Sequence, residues 1–79
     1  MYKYLSKELV KELTDKIREA RKEGAYHLDA FSCRHGYMVA STPCKFAPYL
    51  RMLDYTKGKV DIRIFYSEDV CEKFSIDIP

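Results

Sequence analysis

Tyr49-Leu50-Arg51-Met52-Leu53-Asp54-Tyr55, residues 49–55, can be read with two different periods. Taken two at a time, Tyr49, Arg51, Leu53 and Tyr55 share one face of a strand. With Pro48 at a first helical position and Gly58 as a stop, the same stretch makes a short helix. The strand is the reading adopted, because Thr56-Lys57-Gly58-Lys59 then closes a hairpin with the segment that follows. The choice decides how many strands the sheet has and how much of it one helix must cover.

Downstream, Val60, Ile62 and Ile64 alternate strictly with polar neighbours, and Phe74, Ile76 and Ile78 repeat the pattern. Ser67-Glu68-Asp69 between them reads as a capped helical turn. Upstream, Tyr26–Cys33 and Tyr37–Ser41 flank an Arg34-His35-Gly36 turn, which predicts another hairpin. Pro43 and Pro48 enclose an irregular loop. At the other end of the chain the period changes. Leu9, Val10, Leu13, Ile17 and Ala20 recur at helical spacing after an N-cap at Ser6, with Leu5 as a staple, and Gly24 stops the run.

The expected architecture is a single α+β domain over residues 1–79, without internal repeats. An N-terminal amphipathic helix, about residues 6–23, packs on an antiparallel meander of four to five strands. These fall at about residues 25–33, 37–42, 49–55, 59–67 and 73–78. Five strands span roughly 20–24 Å, whereas a helix is about 10 Å wide. One helix therefore leaves sheet surface uncovered, with Val60, Ile62 and Ile64 beneath the helix and Arg63 and Phe65 facing away.

The totals narrow the function classes. A hydrophobic fraction of 47% with 33% charged residues fits a folded domain, and a net charge of +2 does not by itself call for nucleic acid. Three cysteines are too few for a disulfide scaffold. No stretch reaches the roughly 18 apolar residues of a membrane span, and Met1–Glu8 lacks the apolar core of a signal peptide, so a cytoplasmic protein is expected. The charge is uneven: residues 34–63 are basic and residues 68–77 acidic.

Candidate chemistry is sparse. Cys33, His35, Cys44 and Cys71 are the ligand types zinc takes, but the C-x-H spacing is shorter than in a usual zinc knuckle. A Cys–His nucleophile pair lacks any local signature of an orienting group or an oxyanion hole. The three glycines do not form a phosphate loop. His27 and His35, with Arg34 and the tyrosines, have the residue types of a ribonuclease. Over residues 6–40, a helix and then a hairpin bearing a histidine resemble the layout of the HicA-type mRNA-cleaving toxins. Cys33-Arg34-His35 stands where those have Gly-Ser-His, and strands stand where they have a closing helix. That resemblance implies RNA cleavage by a histidine.

The leading expectation is a small non-enzymatic protein-binding domain that acts by surface occlusion, in the manner of phage or mobile-element inhibitors and immunity proteins. Tyr49, Arg51, Tyr55, Arg63 and Phe65 are the expected partner-binding anchors, since Tyr, Phe and Arg are enriched at protein interfaces. The partner is another protein or a second copy of the chain, with no cofactor and no membrane. The alternatives are a single-stranded RNA or DNA binder, with Lys57 and Lys59 beside those aromatics, and the toxin-like ribonuclease using His27 and His35.

Overall fold

The computed structural model describes residues 2–79. Helix α1 runs over Lys7–Lys22, where Ser6 Oγ accepts the Leu9 N–H at 3.1 Å. Leu13, Ile17 and Ala20 form its buried stripe, and Leu5 closes the core at its start. Gly24, at φ +103°, ends the helix in a conformation that side chains with a Cβ resist. Ser6→Ala is expected to cost about 1 kcal/mol, read as a lower urea midpoint at unchanged slope.

The remaining elements are β1 (His27–Ser32), β2 (Tyr37–Pro43), α2 (Pro48–Leu53), β3 (Gly58–Phe65) and β4 (Cys71–Ile78). The domain is thus α+β, with the N-terminal helix packed on an antiparallel sheet. The sheet has four strands, in the order β2-β1-β3-β4. Ser67 shapes the last turn without a helix: its Oγ accepts the N–H groups of Asp69 and Val70 at 3.3 and 3.1 Å.

Residues 49–55 are not a fifth strand. A strand would have put Arg51 on the same face as Tyr49, Leu53 and Tyr55. The helix instead buries Tyr49, Leu50 and Leu53 together and leaves Arg51, Met52 and Tyr55 outside. Pro48 presets the first turn, and Asp54 N–H donates to Leu50 C=O at 3.0 Å. Burying three large side chains at once outweighs the hairpin, whose alternation would have buried an arginine or exposed a leucine.

Helix α2 also supplies the missing cover. It lies against β2, while α1 reaches β4, where Lys16 Nζ sits 4.4 Å from the Phe74 ring centre. Both helices close a single core around Leu28, Ala30, Ala40, Val60, Ile62, Ile64, Ile76 and Ile78. Among the described residues, none forms a second layer on the opposite side of the sheet.

The order β2-β1-β3-β4 gives the chain a symmetry. Two αββ units, α1-β1-β2 and α2-β3-β4, meet where β1 and β3 pair antiparallel. A half-turn about an axis normal to the sheet exchanges them in topology, although α2 is far shorter than α1. The repeat expected to be absent from the sequence is therefore present in the chain path.

Candidate interaction surface

Strand alternation puts His27, Asp29 and Phe31 of β1, Ser41 of β2, Lys59, Asp61, Arg63 and Phe65 of β3, and Lys73, Ser75 and Asp77 of β4 on the face away from the helices. Cross-strand pairing sets Ser41, Asp29, Arg63 and Lys73 in one row and Met38, Phe31, Asp61 and Ser75 in the next. Each row centres on an aspartate.

Asp29 accepts from Ser41 Oγ at 2.8 Å and from the Arg63 guanidinium at 3.1 Å, and its carboxylate is only 13% exposed. His27 Nε2 lies 2.9 Å from the same carboxylate and 3.0 Å from Ser41 Oγ. In the symmetry-related row, Asp61 accepts from Ser75 Oγ at 2.7 Å and from the Cys33 thiol at 3.3 Å. The hydroxyl and thiol donors hold the Asp61 carboxyl below its ordinary range. Partial desolvation and the bond to Asp61 push the Cys33 thiol up, which makes it a weak nucleophile.

The serine, histidine and aspartate beside one another are not wired for hydrolysis. A triad needs the carboxylate on one ring nitrogen and the serine on the other, so that the base can take the hydroxyl proton. Here one nitrogen faces both partners, and Ser41 already donates its proton to Asp29. The chemistry available is orientation: Asp29 fixes Arg63, whose guanidinium lies 5.5 Å from the Phe65 ring centre. His27 approaches the same ring at 6.0 Å.

Apolar contacts surround this polar centre. Phe31 is 38% exposed, and its cross-strand partner Met38 is exposed as well. Phe31, Arg63, Lys73 and Ser75 line one shallow depression. Lys59, Arg63 and Lys73 face Asp29, Asp61 and Asp77 across the sheet, so the surface is mixed in sign and lacks the cationic groove of a single-strand nucleic-acid binder.

The five anchors expected from sequence do not share a surface. Arg63 and Phe65 lie on the open face, Arg51 and Tyr55 lie on the helical side, and Tyr49 is buried at 4% exposure, where desolvation pushes its phenol up. Asp29, Ser41 and Ser75 were not singled out from the sequence. Alternation assigns their face, but only the strand register brings them together.

The alternative sites are dispersed. His27 begins β1 and His35 lies in the turn beyond its far end, roughly 20 Å or more away at strand rise, too far for one acid–base pair. Cys33 and His35 lie at that far end. Cys44 is buried where its N–H meets Tyr26 C=O, at the near end, and Cys71 sits opposite Phe65. The zinc set is thus pulled apart by the length of β1, and among the described residues no three His, Cys, Asp or Glu side chains converge on a metal position. No helix of the described residues is long and apolar enough to cross a membrane. No family model, curated protein or solved structure matches the chain.

Proposed function

We propose that the chain is a small non-enzymatic protein-binding domain that occludes its partner with the open face of the sheet, as inhibitors and immunity proteins do. The observation that carries this is the Asp29–Arg63–Phe65 arrangement. An arginine held by a nearly buried carboxylate beside an aromatic ring is already ordered before contact. Binding then loses less side-chain freedom, and Arg and aromatic residues are the types that dominate interface energetics. Phe31 and Met38 supply adjoining apolar area, and Lys73 and Asp77 form a polar rim of both signs.

The test compares two paired substitutions in capture experiments from extracts of the organism that encodes the protein. Arg63→Ala with Phe65→Ala is expected to lose the captured partner, by about 2 kcal/mol or more, while circular dichroism stays unchanged. Arg51→Ala with Tyr55→Ala, on the helical side, is expected to retain it. Capture lost in the second pair and kept in the first would place the contact elsewhere.

A further inference from the structure

We infer that β4 is a self-recognising edge: two copies of the chain pair antiparallel along Cys71–Ile78, centred on Ser75, and join their four-stranded sheets into one. This interface runs along the backbone edge of β4 rather than across the open face, although Lys73 and Asp77 also belong to the rim of that face, and it does not depend on the function proposed above.

The two free edges of the sheet differ. The β1–β2 ladder shifts register between Ala30 and Phe31, which leaves Val39 of β2 as the extra residue of a bulge, and β2 ends at Pro43. Both features discourage further pairing. Strand β4 has neither: its register with β3 is unbroken from Cys71 to Ile78, and no proline lies within it.

Its outward backbone groups are fixed by the hairpin. Tyr66 N–H donates to Val70 C=O at 2.9 Å. Alternation along an antiparallel ladder then turns the N–H and C=O of Glu72, Phe74, Ile76 and Ile78 toward β3. Those of Cys71, Lys73, Ser75 and Asp77 point to the free edge.

A second β4 must therefore pair odd positions with odd positions. Centred on Lys73 or on Asp77, that pairing sets identical charges against each other. Centred on Phe74, it sets Asp77 against Cys71, and centred on Ile76 it sets Asp77 against Ser75. Centred on Ser75, it sets Lys73 of each copy against Asp77 of the other, twice by symmetry. The same register sets Phe74 against Ile76 on the helix side, as closely spaced non-hydrogen-bonded pairs. Lys73 ordinarily guards an edge against strangers. A second copy of β4 neutralises it, because in this register its Asp77 falls opposite Lys73.

Light scattering over a dilution series tests this with the full chain. The wild type is expected to reach twice its 9.3 kDa mass as concentration rises. Lys73→Asp and Asp77→Lys should each raise the dimer Kd about tenfold or more, because each replaces two attractive contacts with two repulsive ones. Combined in one chain, they should return the Kd to near the wild-type value. Lys73→Asp faces Arg63 within its own chain, so its fold is supported, and circular dichroism checks this. A 9.3 kDa mass at every concentration up to about 1 mM overturns the inference. So does a dimer that ignores the single reversals, or one that the double reversal fails to restore.

Discussion

Ile62→Ala is expected to unfold most of the protein's stability, by about 3 kcal/mol. Ile62 is 1% exposed on the central strand β3, between Ala30 and Phe74 and under the helical layer. Removing three carbons there loses their transfer energy and leaves a void that surrounding strands cannot collapse into. A domain this small has only about 5 kcal/mol or somewhat more in total. The urea midpoint should therefore fall by half or more. Phe65→Ala, three residues on along the same strand but on the open face, is expected to cost less than about 1 kcal/mol. Equal losses in the two variants would mean that the faces of β3 are assigned the wrong way round.

The second large effect is expected at Asp54, the residue that follows α2. Its carboxylate accepts three consecutive backbone N–H groups from the start of the chain: Lys3 at 2.6 Å, Tyr4 at 2.7 Å and Leu5 at 3.0 Å. Those donors precede α1, so one side chain ties the N-terminal segment to the second helix. Asp54→Ala leaves the donors without an acceptor and should lower the melting temperature by roughly 10 °C, with Asp54→Asn intermediate. Burial alone would raise the Asp54 pKa. The three N–H donors outweigh it and hold the carboxyl below its ordinary range. The stabilisation is therefore complete above the unfolded value of about 3.9 and fades as pH falls through the lower folded value. The stabilities of the wild type and Asp54→Asn should draw together as pH falls from about 4 and converge below the lowered folded value. A gap that persists or widens there would show that the charge is not the source.

Much of this was legible in the sequence, for physical reasons that differ by element. Helix α1 carries five apolar residues at one period with a cap and a stop, and β3 and β4 alternate without exception over their core residues. Helix α2 is only six residues long, and over so short a run Tyr49, Leu50 and Leu53 fit a helix as easily as alternate positions fit a strand. Its helical state is decided by what it covers, which is tertiary information. The same holds for the surface. Arg63 and Phe65 follow from the burial of Val60, Ile62 and Ile64, since odd positions must face away. Their contacts do not follow, because Asp29 meets Arg63 only once β1 and β3 are known to be neighbours.

That pairing also governs how the chain comes together. The β1–β2 and β3–β4 ladders each join consecutive segments through short turns at residues 33–36 and 66–70, so the ordering entropy of closing them is small. The β1–β3 ladder alone spans a long loop, which must carry β2 and α2 with it. Most of the loop-closure entropy of folding therefore falls on the pairing of β1 with β3. The same seam that makes the halves symmetric is where they commit to each other.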